Sequence, residues 1–105
     1  MQVRQLHSWQ VTIPEALDIQ RRLAVQVSRR SEVPASVRYV AGVDLSPPDA
    51  QGVVRGAAVL VSYPDLAPVE VQVAEGRPSF PYVPGLLSFR ESPVLLQALE
   101  RLHHD

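Results

Sequence analysis

The sequence predicts a single α/β domain in which a helix is followed by a three-stranded antiparallel meander and a second helix. Two observations support this order. Apolar residues recur at helical spacing near both ends of the chain, and three β-rich segments lie between them, separated by short turn-rich linkers. With 105 residues, of which 46% are hydrophobic and 20% charged, the chain is long enough to bury one core and has the composition of a globular protein.

The first helix is predicted over residues 13–30. Thr12 and Glu15 have the spacing of a capping box, in which each side chain accepts a hydrogen bond from the backbone of the other residue. The apolar residues at helical spacing are Ala16, Ile19, Leu23 and Val27. Trp9 is expected to pack between the start of this helix and the core, and the proline-containing segment 31–36 is expected to end it.

Three strands are predicted over residues 37–45, 56–63 and 69–74. The second is a nearly continuous apolar run, as expected of a central strand that is covered on both faces. The third alternates valine with polar residues, which is typical of a half-exposed strand. The two linkers are short and rich in turn-forming residues, so the strands are expected to form antiparallel hairpins.

The last helix is predicted to begin at Ser92 and Pro93, where serine can act as the N-cap and proline fits the first turn. Its expected buried residues are Leu95, Leu96, Leu99 and Leu102. The single domain therefore divides into an arm and helix at 1–36, a meander at 37–79, and a loop and helix at 80–105.

Composition limits the location and the partners of the chain. It has no cysteine, which excludes disulfides and thiolate metal sites. It has neither a signal-peptide pattern nor an apolar run long enough to span a membrane, so a cytoplasmic location is expected. The net charge is −1, so any contact with nucleic acid must come from a local patch. All ten basic residues are arginine, which indicates compositional bias rather than a particular site.

The most informative segment is residues 80–91, which read Phe-Pro-Tyr-Val-Pro-Gly-Leu-Leu-Ser-Phe-Arg-Glu. Pro81 and Pro84 fix their own φ angles and restrict the residues before them, so Tyr82 is held on a stiff loop. Gly85 permits a sharp reversal of the backbone. Two interpretations follow. Either Tyr82 is exposed and separates two parts of a binding partner beside a metal ion, or Tyr82 packs on the core.

Two carboxylates are candidates for that metal. Asp44 ends the first predicted strand and Glu91 precedes the last helix, and a meander of three strands places both at one end of the sheet. A hard divalent ion such as Mg²⁺ removes the repulsion between paired carboxylates. Two alternatives remain open: Ser88 and Glu91 form a capping box, or Asp44 bonds the backbone of the following turn.

The segment 80–91, together with Val40-Ala41-Gly42-Val43-Asp44, resembles the endonuclease V family, metal-dependent nucleases that nick nucleic acid near deoxyinosine. The likeness covers residues 9–102 and implies a ribonuclease-H-like fold. It implies that Asp44 and Glu91 are catalytic carboxylates that bind Mg²⁺, with Mn²⁺ as a substitute. The implied reaction is hydrolysis of a phosphodiester on the 3′ side of deoxyinosine in DNA, or of inosine in RNA, during DNA repair.

The resemblance also assigns roles to the loop. Tyr82, flanked by Pro81, Val83 and Pro84, matches the wedge that enters the double helix beside the lesion. Gly85 and Leu87 match the part of the loop near the base pocket.

The chain departs from the family pattern at its end. The downstream Asp-Gly and His-Pro-Arg motifs are absent, so the chain resembles the N-terminal half of the enzyme and lacks a third metal carboxylate, a role that Asp105 does not fill. We therefore expect the chain alone to be inactive; the alternative is a non-catalytic fragment that binds nucleic acid weakly through the wedge loop. Without a fourth strand beside it, the first strand is expected to promote self-association. The adjacent His103 and His104 are expected to form a solvated, fraying end.

Overall fold

The computed structural model describes residues 1–104 and contains two helices and three strands in that part of the chain. The elements are α1 (Ile13–Ala24), β1 (Tyr39–Leu45), β2 (Val54–Ser62), β3 (Pro68–Gly76) and α2 (Leu87–Glu100). The strands form one antiparallel sheet in the order β1-β2-β3, and α2 packs on one of its faces. The predicted α/β order and the meander are confirmed.

Helix α1 begins as predicted and ends earlier. The Thr12 hydroxyl accepts a hydrogen bond from the Glu15 N–H at 3.3 Å, and the Glu15 carboxylate accepts one from the Thr12 N–H at 3.1 Å. The helix ends at Ala24 rather than at residue 30. Val27, predicted to continue the apolar face of this helix, is 69% exposed. The last buried residue of the helix is Ile19, and Leu23 is only partly buried, so most of the burial energy of α1 comes from residues before its observed end.

Helix α2 begins earlier than predicted. Its N-cap is Leu86, so Ser92 and Pro93 lie inside the helix and do not start it. An interior proline costs about 3 kcal/mol because it removes a hydrogen bond and its ring meets the carbonyl one turn back. The earlier turns bury Leu86 and Phe89, and each buried side chain of this size contributes about 1.5–3 kcal/mol. The gain from burial is therefore large enough to offset the proline.

Helix α2 joins two hydrophobic clusters. The sheet cluster lies between α2 and the strands and contains Val54, Ala58, Leu60, Ala74, Val94, Ala98 and Leu102. The loop cluster lies between α1, the loop and the start of α2 and contains Ala16, Ile19, Phe80, Leu86 and Phe89. Trp9 packs on the loop cluster, with its ring 5.5 Å from that of Phe89, as the sequence predicts.

The buried stripe of α2 differs from the predicted one. It runs through Val94 and Ala98 and is continued by Leu102 just after the helix, whereas the other three leucines predicted to be buried, Leu95, Leu96 and Leu99, are half-buried. Gly56 on β2 allows the helix to lie close, because a Cβ there would stand 3.0 Å from the Val94 side chain.

The sheet is covered on one face within the described residues. Strand β2 is central but alternates between buried and exposed positions, so the expectation that it is covered on both faces was wrong. Val59 on β2 and Val71 on β3 are paired and exposed on the face away from α2. Strand β1 pairs only with β2 among the described strands, which leaves its outer edge open, as predicted. Within residues 1–104, neither helix combines the length and apolar character needed to cross a bilayer.

Candidate functional site

A groove of about 370 Å³ lies where the end of β1, the loop of residues 80–86 and the first turns of α2 meet. The residues that line it are Leu45, Ser46, Pro47, Pro48, Val54, Tyr82, Leu87, Arg90 and Glu91. Three of the residues singled out from the sequence, Tyr82, Leu87 and Glu91, thus share one surface.

Glu91 lies on the second turn of α2 and is half-buried in this groove. The helix begins at Leu87 behind the N-cap Leu86, so the capping-box alternative for Ser88 and Glu91 is wrong. The Glu91 carboxylate makes no hydrogen bond and no ion pair with any residue in the range 1–104. It therefore has its full capacity to accept a ligand.

Asp44 is the penultimate residue of β1 and is exposed. Its carboxylate accepts a hydrogen bond from the Leu45 N–H at 2.8 Å, so it bonds its own neighbour and not the following turn. Leu45 packs against the sheet cluster under α2, and successive side chains of a strand point to opposite faces. Leu45 and Ser46, the two residues after Asp44, line the same groove as Glu91, so Asp44 and Glu91 lie at the same end of the sheet, although Asp44 itself does not line that groove.

The donor set fits Mg²⁺ in type, because both groups are carboxylates and the ion also accepts water and phosphate oxygens as ligands. It is incomplete in number. Across residues 1–104, no three His, Asp or Glu side chains are arranged to hold a metal ion.

The loop presents Tyr82 to solvent. Phe80 and Leu86 at its two ends are only 4% and 2% exposed, whereas Tyr82 between them is 71% exposed. Gly85 has φ of +87°, which makes the reversal that its position predicts. Pro81 and Pro84 are exposed, and Val83 packs partly on the loop cluster. The alternative that packs Tyr82 on the core is wrong.

Two residues that hold this loop were not identified from the sequence. The Arg90 guanidinium donates a hydrogen bond to the Phe80 carbonyl at 2.9 Å. The Gln20 side chain on α1 donates one to the Gly85 carbonyl, also at 2.9 Å. Arg90 belongs to the distinctive segment 80–91 and could have been suspected, but nothing in the sequence connects Gln20 with a residue 65 positions away.

His103 and His104 are exposed to solvent, as expected, but both are held by Glu70, so the expectation of a fraying end was wrong. Both lie beyond the last residue of α2, where the 100° offset between helical neighbours no longer applies. The Nδ1 atoms of His103 and His104 lie 3.0 and 2.7 Å from the Glu70 carboxylate oxygens, and their backbone N–H groups donate to the same carboxylate. Hydrogen bonds to its carboxylate hold the pKa of Glu70 far below its ordinary range; the bond from the Gln72 amide has the largest effect, and the bond from His104 the next largest.

Comparison with known proteins places this chain in a family. The model of the Endonuclease V family matches residues 21–105. Endonuclease V of Trichormus variabilis is 48% identical over 103 residues, which are 97% of this chain and 46% of that protein. The crystal structure of endonuclease V from Streptomyces avermitilis superposes with a TM-score of 0.81 at 39% identity, over 92% of this chain and 43% of that one.

A third similar protein is endonuclease V of Ciona intestinalis, whose crystal structure contains a 24mer DNA with an inosine followed by a ribo-adenosine. It has a TM-score of 0.74 at 27% identity, over 84% of this chain and 38% of that one. This chain thus spans less than half the length of each of these three proteins. The fold is the α/β, ribonuclease-H-like fold of these proteins, and the chain belongs to the endonuclease V family.

Proposed function

We propose that this chain supplies the wedge loop and two of the metal-binding carboxylates of a nuclease that cuts the phosphodiester on the 3′ side of deoxyinosine in DNA, or of inosine in RNA. The support for a DNA partner is the family membership and the inosine-containing DNA bound by the Ciona intestinalis relative. A cytoplasmic location remains part of this proposal.

The observation that carries the proposal is the position of Tyr82. An exposed aromatic ring on a loop with two buried ends is suited to stacking on a base, because the loop need not leave the core to reach the nucleic acid. Tyr82 also lines the same groove as Glu91, so a ring inserted beside a lesion would bring the neighbouring phosphodiester towards a carboxylate.

The groups of this chain have separate roles in the reaction. Asp44 and Glu91 would hold Mg²⁺ or Mn²⁺, which, when bound, activates a water molecule and offsets charge on the leaving oxygen. Tyr82 would occupy the gap beside the deoxyinosine, while Pro81, Val83 and Pro84 keep its backbone stiff. Gly85 and Leu87 would border the displaced base. Because the carboxylate set is incomplete in number, we expect no cutting by this chain alone.

A second candidate function is binding without catalysis. The observation that favours it is the lack of a third His, Asp or Glu near the carboxylate pair within residues 1–104. The residues encoded after Asp105 distinguish the two functions, because a nuclease requires a further carboxylate and a binding fragment does not.

The experiment uses the purified chain and two duplexes that differ only in one inosine or adenosine opposite the same base. Fluorescence anisotropy is expected to show tighter binding to the inosine duplex, and a denaturing gel with Mg²⁺ is expected to show no nick. Equal affinity for both duplexes would contradict the proposal that the loop of residues 80–86 is a wedge that recognises inosine. Cutting on the 3′ side of inosine would contradict the expectation that the two carboxylates of this chain are too few for catalysis.

A further inference from the structure

The loop of residues 80–86 is held by two different helices. At its first residue, the Phe80 carbonyl accepts a hydrogen bond from Arg90 of α2. Near its end, the Gly85 carbonyl accepts one from Gln20 of α1. The buried side chains of Phe80 and Leu86 fix the positions of the two ends, but they do not by themselves fix the direction of the exposed part between them.

Gly85 is the residue of this loop whose backbone can rotate most easily. Its φ of +87° is available to glycine at little cost, and a Cβ at this position would meet no atom within 4 Å. The residues before it are constrained by Pro81 and Pro84. A rotation at Gly85 would therefore swing the stiff Pro-Tyr-Val-Pro segment as one piece.

The hydrogen bond from the Gln20 side chain restrains the backbone at Gly85. Gly85 itself makes no backbone turn bond through its carbonyl, since the turn is closed by the Leu86 N–H and the Val83 carbonyl at 2.9 Å. Gln20 is exposed, so its side chain is not held in place by burial and its bond to Gly85 is a specific contact between α1 and the loop.

We propose that Gln20 is a positioning residue that fixes the direction of Tyr82, so that α1 takes part in recognising inosine-containing nucleic acid without touching it. This inference rests on the proposed function, because it takes Tyr82 as the group that contacts the nucleic acid. Gln20 acts through Gly85 and is not itself a catalytic residue.

The test compares Gln20→Met, which keeps the length and loses the donor, with Gln26→Met as the matched control. Gln26 is also exposed and follows α1, and its side-chain amide donates to the Arg22 carbonyl and not to the loop. Backbone ¹⁵N relaxation is expected to show a lower order parameter for the Tyr82 and Gly85 amides in Gln20→Met, and no change in Gln26→Met. Gln20→Ala repeats the measurement with another good helix former.

Binding supplies the second measurement. Gln20→Met is expected to weaken binding to the inosine duplex about three- to tenfold, the effect of losing one neutral hydrogen bond. In a Tyr82→Ala background the same substitution should have no effect, since there is no ring left to direct. Unchanged order parameters, or an equal loss of affinity in both backgrounds, would overturn the inference. If Tyr82→Ala alone leaves the affinity unchanged, the proposed function fails, and the relaxation data still decide whether Gln20 holds the loop.

Discussion

The carboxylate of Glu70 on β3 accepts a hydrogen bond from the Nδ1–H of His104, at 2.7 Å and 34 positions further along the chain. An ionised carboxylate can only accept, so this nitrogen carries the proton. The contact ties the segment after α2 to the outer strand of the sheet.

This contact predicts a dependence of stability on pH. Because hydrogen bonds hold the pKa of Glu70 below its ordinary value of 4.5, the stabilisation is complete above that pH and is lost as the pH falls below it. Glu70→Gln should therefore show a smaller fall in Tm between neutral and acid pH than the natural chain. The matched control is Glu75→Gln, because the Glu75 carboxylate pairs with Arg55 on the surface. Identical pH profiles for the natural chain and Glu70→Gln would refute this role of Glu70.

Tyr82→Ala should weaken binding to inosine-containing duplex by about 1–3 kcal/mol, the usual effect of removing one stacking ring. The free energy of unfolding should change by no more than about 0.5 kcal/mol, because Tyr82 is exposed. Anisotropy titration and urea unfolding measure the two effects. Tyr63→Ala is the control, since Tyr63 is also an exposed tyrosine but lies outside the groove. A loss of several kcal/mol in unfolding would show that Tyr82 is a structural residue.

The carboxylate pair should bind Mg²⁺ or Mn²⁺ weakly, with a Kd in the millimolar range, which corresponds to about −4 kcal/mol. Asp44→Asn and Glu91→Gln should each abolish this binding, because a site of two protein ligands does not survive the loss of one. Mn²⁺-induced relaxation of amide signals around Leu45 measures it. Asp65→Asn, in the loop at the other end of the sheet, is the control. The same relaxation effect in the natural chain and in Asp44→Asn would rule out the pair as a metal site.

The chain should self-associate through the open edge of β1. Its accessible surface is 7757 Å², about 1,900 Å² more than the roughly 5,800 Å² expected of a compact monomer of 11.6 kDa. Sedimentation velocity should show dimers or larger species. Val40→Lys on the edge strand β1 should reduce them more than Val59→Lys at an exposed position of the central strand β2, because a lysine on an edge strand opposes pairing with another chain. A monomer at all concentrations, or an equal effect of both substitutions, would exclude this edge.

The sequence by itself determined the elements that depend on local chemistry. The capping box of Thr12 and Glu15 starts α1 because both partners are three residues apart. The turn-rich linkers produce the antiparallel meander, and the glycine at position 85 makes the predicted reversal. Residues 80–91, taken together with residues 40–44, indicate the family from sequence, because the segment 80–91 combines two prolines, an aromatic residue, a glycine and a carboxylate at fixed spacing.

Only the tertiary structure decided features that depend on contacts between distant residues. Helix α2 runs through Pro93 because burial of Leu86 and Phe89 against α1 outweighs a local signal to begin later. Val27 is 69% exposed because α1 ends at Ala24, so the helical spacing that would align Val27 with Ile19 and Leu23 stops before it. The bonds of Gln20 to Gly85 and of His104 to Glu70 join positions 65 and 34 residues apart. Local propensity cannot specify such contacts, since their energy exists only once the chain has folded.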